Sequence, residues 1–234
     1  MKIALLGYGK MGKTIEKIAL DKGHTIVFKS AINSSEGNLE DAEVAIEFSS
    51  PEAAVENISK AFNAGIPIVS GTTGWLEKYG EMVKLCENRN GSFIYASNFS
   101  VGVNLFFSIN EYAAKLMSQW KEYDVSVEEI HHLEKKDAPS GTAITIAEGI
   151  LKYSDKKNWK LNTTEENSLN IVAKREEDVK GTHVVSYDSE IDAISFTHEA
   201  HSREGFAKGA ILAAEWLKDK RGIFTMKNVL GIED

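Results

Sequence analysis

The densest chemistry in the chain lies between Glu129 and Ala143, in the run Glu-Ile-His-His-Leu-Glu-Lys-Lys-Asp-Ala-Pro-Ser-Gly-Thr-Ala. The adjacent imidazoles of His131 and His132 can exchange protons near neutral pH, and Lys135 and Lys136 add positive charge. Pro139-Ser140 then leads into a helical run, so Gly141 and Thr142 present backbone N–H donors at a helix start, where anions are favoured. Together these residues describe an anion site beside proton-transfer groups. A second signal stands near the amino terminus. Gly7-Tyr8-Gly9-Lys10-Met11-Gly12 follows a short apolar run and opens a helix, the setting in which G-x-G-x-x-G carries meaning. The first glycine permits a tight turn, the second lets the backbone approach a pyrophosphate, and the third lets helix and strand pack closely. A dinucleotide site is predicted there.

The ribose end of that site departs from the NAD pattern. An NAD-type site places an acidic residue at the end of the second strand, yet none occurs between His24 and Ser35. The run Lys29-Ser30-Ala31-Ile32-Asn33-Ser34-Ser35, with Lys10 nearby, leans toward a 2′-phosphate and hence NADPH, with NADH as the alternative. Lys29 also reads as a plain solvated charge at a strand end.

These residues need elements to hold them. Residues 2–6 read as a buried strand, followed by a helix ending near Lys22-Gly23 and a second strand at 24–28. Further apolar runs at 44–48, 66–69 and 92–95 are separated by helical stretches at 51–64 and 77–88. Alternation of this kind predicts an α/β fold, a Rossmann-type doubly wound parallel sheet. The pattern changes near Asn98. A helix at 105–120, an alternating strand at 125–130, a helix at 143–153 and a hairpin at 182–189 and 192–198 predict a second α+β domain on a mixed, largely antiparallel sheet. Residues 154–170 read as a polar surface excursion. The helix at 206–218 is expected to pack back on the first domain. The dinucleotide-binding domain is thus 1–100 completed by 204–234, and the second domain is 101–203. A hinge is expected in 96–104, with a second crossing near 202–206.

Composition narrows the function. Of 234 residues, 42% are apolar and 26% charged, as in ordinary packed proteins. A net charge of −8 leaves no basic surplus for nucleic acid, and a small anionic ligand must be drawn in by a local cationic patch. Cys86 is the sole cysteine, so no internal disulfide forms and a reducing compartment fits. No stretch approaches ~18 uncharged apolar residues. A soluble, cytoplasmic protein without membrane partners is expected.

The run from His131 to Ala143 reads HHxxKxDAPSGTA, and it resembles the signature of the dihydrodipicolinate reductases of lysine and diaminopimelate biosynthesis. Gly71-Thr72-Thr73-Gly74-Trp75 resembles the GTTG loop of that family. The segment Ala96-Ser97-Asn98-Phe99-Ser100-Val101-Gly102-Val103-Asn104 resembles its A-x-N-F-S-x-G-x-N, and Val44 to Pro51 its DF-S/T-x-P strand. The resemblance implies NAD(P)H-dependent reduction of the cyclic dehydrated aldol product, a small dicarboxylate, to tetrahydrodipicolinate. It implies that His131 is the general acid/base, that Lys135 is the proton donor, and that His132, Gly141 and Thr142 hold the substrate carboxylate. Gly7, Tyr8, Gly9, Lys10, Met11, Gly12, Gly71, Thr72, Thr73, Ala96, Ser97, Asn98 and Phe99 match cofactor contacts. It further implies a homotetramer built through the second domain's sheet. The chain departs from the family in being shorter around 33–40 and by one residue in the glycine loop. It also carries Glu177 where the R-x-G-x-x-x-G-x-H segment has its first glycine.

Plainer readings apply to other residues. His131, His132 and Glu134 offer metal-ligand types, but neighbours point apart on an extended chain and no matching cluster is legible elsewhere, so no metal is expected. His183, His198 and His201 read as surface or interface residues, Trp120, Trp159 and Trp216 as packing, and Asp155-Lys156-Lys157 as solvated turn charges. Two rival functions remain: another Rossmann-type oxidoreductase of amino-acid precursors, or a non-catalytic dinucleotide-sensing module. The second would have no use for the run from His131 to Thr142, and Cys86 is badly placed for a thiol mechanism.

Overall fold

A computed structural model describes residues 1–202 and 204–232; Arg203, within the expected second crossing, and Glu233 and Asp234 lie outside the described residues. The chain begins β1 (Lys2–Leu6), α1 (Lys10–Asp21), β2 (Thr25–Ala31), β3 (Ser34–Gly37), β4 (Val44–Glu47), α2 (Pro51–Asn63), β5 (Ile68–Ser70), α3 (Tyr79–Asn88) and β6 (Ser92–Tyr95). It continues with α4 (Val101–Met117), β7 (Asp124–His131), α5 (Gly141–Leu151), β8 (Asn158–Leu161), β9 (Ser168–Arg175), β10 (Thr182–Asp188) and β11 (Ala193–Glu199). It closes with α6 (Glu204–Leu217), β12 (Gly222–Phe224) and α7 (Met226–Leu230). Two compact units form: Met1–Val101 with Glu204–Asp234, and Gly102–Arg203.

In the first unit the strand order is β12-β6-β5-β4-β1-β2-β3, parallel except for the antiparallel β2/β3 pair. The strands are apolar on both faces because both are covered. Ile3, Leu5 and Ile46 join one core with Ala207, Ala210, Ile211 and Ala214 of α6. Ala4, Leu6 and Ala45, one residue out of step, join the other with Ile58 and Phe62 of α2. Each fully buried Leu, Ile or Phe contributes roughly 1.5–3 kcal/mol. The helix α6 packs back as expected, and its small residues permit a tight approach: a β-carbon at Gly209 would lie 1.8 Å from the Phe99 carbonyl oxygen. Sequence pattern missed β3 and β12. The first is Ser-Ser-Glu-Gly, an exposed edge strand with no apolar side chain, and the second is three residues long.

In the second unit the order is β11-β10-β7-β9-β8. The expected hairpin is β10/β11, and β10 also runs antiparallel to β7. The pairs β7/β9 and β8/β9 are parallel, so the sheet is mixed in equal parts. The stretch 154–170, expected as a surface excursion, instead holds β8 and the start of β9. Trp159 and Leu161 are its half-buried apolar side chains, too few to announce a strand. The inner face of the sheet packs Val125, Val127, Leu169, Ile171 and Val185 against Ala143, Ile146 and Ile150 of α5.

Candidate active site

The first unit gathers its predicted residues along one sheet edge. Because β1, β4, β5 and β6 run parallel, the loops after Leu6, Glu47, Ser70 and Tyr95 all leave from their carboxyl ends. The order of connection reverses between β1 and β4, the point where doubly wound sheets bind ligands. Gly7 has φ +106°, and a β-carbon there would sit 2.0 Å from the Phe48 carbonyl oxygen. At Gly12 it would lie 2.3 Å from the Gly7 carbonyl oxygen, whereas at Gly9 it would meet nothing within 4 Å. Gly9 caps α1 without any side-chain hydrogen bond, and the first turn holds no acid. Open backbone donors at a helix start, with space in front, fit the pyrophosphate of a dinucleotide.

Behind these loops lies a carboxylate that sequence reasoning passed over. Glu47 is fully buried and accepts four hydrogen bonds, from Ser49 N (2.9 Å), Ser49 Oγ (2.5 Å), Ser70 Oγ (2.6 Å) and Thr72 Oγ1 (2.7 Å). Thr72 also accepts the Ser49 N–H at 2.8 Å, so its hydroxyl serves the loop's own architecture. Thr73 and Ser97 are exposed, Ala96 is half-buried and Asn98 is buried, with Asn98 Oδ1 accepting the Ser100 N–H at 2.9 Å. The Phe99 ring is in the core, edge-on to Phe48 at 5.9 Å.

The end of β2 corrects the sequence picture. Glu36, beyond the acid-free run, sits on β3 in register with Lys29. The Lys29 ammonium lies 3.2 Å from Glu16 and 3.4 Å from Glu36, over the Tyr8 ring at 5.0 Å, and Tyr8 Oη–H donates to Glu16. Lys29 is therefore no isolated solvated charge. Its carboxylate partners raise its pKa, chiefly through the Glu16 hydrogen bond.

In the second unit the alternation of β7 builds the site. Val125, Val127, Glu129 and His131 share its buried face, and below Val127 the inner face turns from apolar to polar. Register places His183 of β10 opposite Glu129 and Arg175 of β9 opposite His131. Glu129 is fully buried. It accepts the Ser140 N–H at 3.0 and 3.2 Å and meets Arg175 at 3.4 Å. His131 Nδ1 and His183 Nε2 lie 3.6 and 3.8 Å from Glu129 Oε2. Ser140 caps α5 by accepting the Ala143 N–H at 3.1 Å, and its hydroxyl stands 3.3 Å from His183 Nε2. His183, expected as a surface or interface residue, is instead buried among these groups, 4% exposed. Its partner carboxylate is supplied by another strand, which no local pattern reveals.

Burial pulls both imidazoles toward neutrality, His183 to about 3 and His131 to about 4, with Glu129 opposing the shift at His131. Glu129, His131 and His183 offer ligand atoms within 4.8 Å of one another, a cluster the sequence did not disclose. The charge of Glu129 is, however, already met by Arg175 and the Ser140 N–H. After β7, Lys135 Nζ holds both oxygens of Asp137 at 2.8 Å. Arg175 braces that loop, donating to the carbonyls of Asp137 (2.6 Å) and Lys135 (3.3 Å). His132 lines an open depression of about 760 Å³ with Glu134, Glu177, Asp178 and Lys180. The departure at Glu177 is absorbed by Asp178, which takes φ +61°, a conformation Asp tolerates. Trp120, expected in packing, is 58% exposed. It stands at a separate cavity of about 160 Å³ beside Tyr123 and Tyr153.

His131, His132, Lys135, Gly141 and Thr142 therefore follow one another from the end of β7 to the start of α5. Glu129, Ser140, Arg175 and His183 complete the cluster without having been predicted. For Glu129 a signal existed: the step of two from Val125 and Val127 places it on the apolar face.

The family model described as dihydrodipicolinate reductase, N-terminus, matches residues 1–99, and that described as dihydrodipicolinate reductase, C-terminus, matches residues 102–230. The chain belongs to the dihydrodipicolinate reductase family. The 4-hydroxy-tetrahydrodipicolinate reductase of Christiangramia forsetii is 54% identical over 98% of both chains. That of Archaeoglobus fulgidus is 35% identical over 98% of this chain and 100% of its own. Among solved structures, a dipicolinate-bound dihydrodipicolinate reductase from Paenisporosarcina sp. superposes with TM-score 0.78 at 21% identity, over 96% of this chain and 97% of that one. An aspartate dehydrogenase from Thermotoga maritima reaches only 0.53 at 14% identity, over 96% of this chain and 99% of that one, so the fold is shared beyond the family.

Proposed function

We propose that the chain is an NAD(P)H-dependent 4-hydroxy-tetrahydrodipicolinate reductase, forming tetrahydrodipicolinate on the route to diaminopimelate and lysine. The observation that carries this is end-to-end similarity to reductases of that name. It is joined by a buried proton-transfer cluster that a mere dinucleotide sensor would not need. When bound, the nicotinamide supplies a hydride to the conjugated imine ring, and the reduced ring must then be protonated. The residues here suit that need. Lys135 carries an ammonium held by Asp137, and His131 is a neutral imidazole able to receive a proton. The amino end of α5, at Gly141 and Thr142, with His132, suits a carboxylate of the substrate. The test is a coupled assay with dihydrodipicolinate synthase products. Oxidation of NADPH or NADH dependent on those products is expected, and none with either cofactor would refute the assignment.

NADPH is expected to serve at least as well as NADH, since a 2′-phosphate can take the place of the exposed Glu36 beside Lys29. Comparing kcat/KM for the two cofactors in wild type and Lys29→Glu decides this; a wild-type preference for NADH unmoved by the substitution would refute it. We further propose the second unit as the substrate-binding and oligomerisation domain of a cytoplasmic homotetramer. Ile191 and Ile194 at the β10/β11 hairpin, and Leu105, Ile109 and Leu116 along α4, are exposed apolar side chains that assembly would cover. Light scattering at micromolar concentration reads the mass directly, and a monomer would refute it.

A further inference from the structure

The buried end of β7 contains an unmet demand. His131 Nδ1 is sealed from water with no hydrogen-bond partner, 3.6 Å from Glu129 Oε2, just past bonding reach. Buried polar atoms are almost always paired, because an orphan forfeits its hydration without return. Here the missing partner faces it, and an approach of a few tenths of an ångström would complete an N–H···O bond. We propose that Glu129 is the positioning residue of the proton-transfer centre: its carboxylate selects the Nδ1–H tautomer of His131 and leaves Nε2 to take and return the proton. This rests on the reading of His131 as the acid–base group.

The surroundings support the assignment. His131 Nε2 is flanked by Gly181, where a β-carbon would stand 3.3 Å away, so that side of the ring meets bare backbone. The charged and titratable groups facing His131 are Glu129 on its own strand, Arg175 on β9, His183 on β10, and Lys135 and Asp137 in the following loop. Glu129 and Asp137 favour an imidazolium; Lys135 and Arg175 oppose it. The two imidazoles lie 5.1 Å apart, ring to ring, and share one carboxylate oxygen, so the cluster takes one proton at a time. His183 has the Ser140 hydroxyl as a second neighbour and is the more deeply buried. The proton therefore belongs to His131. Arg175 and the Ser140 N–H meet the Glu129 carboxylate and hold it in place, as a buried carboxylate needs.

The test uses the full chain with ¹⁵N-labelled histidine at neutral pH, in wild type, Glu129→Gln and Glu129→Asp, together with kcat and KM. Imidazole ¹⁵N shifts separate the two tautomers, and the His131 signals are assigned by their loss in His131→Asn. Wild type is expected to show Nδ1–H. Glutamine keeps the size and can still accept the Ser140 N–H, but it turns an amide N–H toward Nδ1 and so selects Nε2–H. Its kcat should fall on the order of 10²-fold or more, with KM for the nucleotide largely unchanged. Aspartate should keep Nδ1–H and recover much of the rate. An Nε2–H wild type, or a tautomer indifferent to Glu129→Gln, would overturn the proposal. Should the glutamine variant not fold, the wild-type and aspartate spectra still decide. Absence of reductase turnover in wild type would sink the reaction, while the spectra alone would continue to judge the positioning.

Discussion

The three glycines of the first loop make separable claims, and alanine substitution separates them. At Gly7 a β-carbon collides with the Phe48 carbonyl oxygen at 2.0 Å and the Ser49 nitrogen at 2.8 Å, on a backbone at φ +106°. Those are backbone atoms of the loop leaving β4 and cannot swing aside. Strain of about 1–3 kcal/mol for the dihedral and about 1–3 kcal/mol for overpacking predicts a loss of roughly 2–6 kcal/mol for Gly7→Ala. In a chain of this size each kcal/mol lowers Tm by about 2–4 °C, so the first unit should melt roughly 4–24 °C lower. Gly9→Ala meets nothing within 4 Å, and its φ of −87° and ψ of −153° are open to alanine; its stability should change by less than about 0.5 kcal/mol. The added methyl stands where the pyrophosphate must approach, so KM for NAD(P)H should rise about tenfold or more, the equivalent of 1.4 kcal/mol or above. Differential scanning fluorimetry and steady-state kinetics on the same preparations read both effects. Equal destabilisation by the two substitutions, or unchanged nucleotide KM in Gly9→Ala, would refute the division of labour.

Three further outcomes are expected. His131→Ala and Lys135→Ala should each lower kcat by roughly 10²-fold or more while leaving nucleotide affinity nearly unchanged, and wild-type turnover in either would remove that residue from the chemistry. Arg175→Met strands the buried Glu129 carboxylate with the Ser140 N–H, at a cost of about 2–4 kcal/mol. Adding Glu129→Gln should return part of the lost Tm, and strict additivity of the two losses would show that they are not coupled. The third concerns acid. His131 and His183 are held neutral in the fold, to about 4 and about 3 against an ordinary 6.5. Their contribution to stability is therefore complete above the unfolded value and is lost as pH falls from about 6.5 toward the folded values. Unfolding midpoints should drop across that window, and a flat profile would mean the two rings are solvated.

Much of this architecture was legible from local pattern. The alternation of apolar runs with helical stretches up to Tyr95 determines a doubly wound sheet, because strands covered on both faces must be apolar throughout. The G-x-G-x-x-G turn is local in part: Gly12 meets the Gly7 carbonyl within the loop itself, whereas the close approach at Gly7 comes from Phe48, which only the β1/β4 pairing brings near. Along β7, the step of two from Val125 to His131 determines which side chains share the buried face. Partners across strands were another matter. Nothing near His183 announces Glu129, because β10 and β7 are paired only by the fold, more than fifty positions apart in the chain. Arg175 likewise reads as a surface strand end until β9 is laid parallel to β7. Glu36 escaped notice because its strand lacks apolar side chains, and only the β2/β3 pairing puts its carboxylate beside Lys29. Sequence determined which groups the chain carries and which face each occupies within its own element. Tertiary structure decided which charges meet, because electrostatic partnership depends on distance in space, and pairing of distant strands sets that distance.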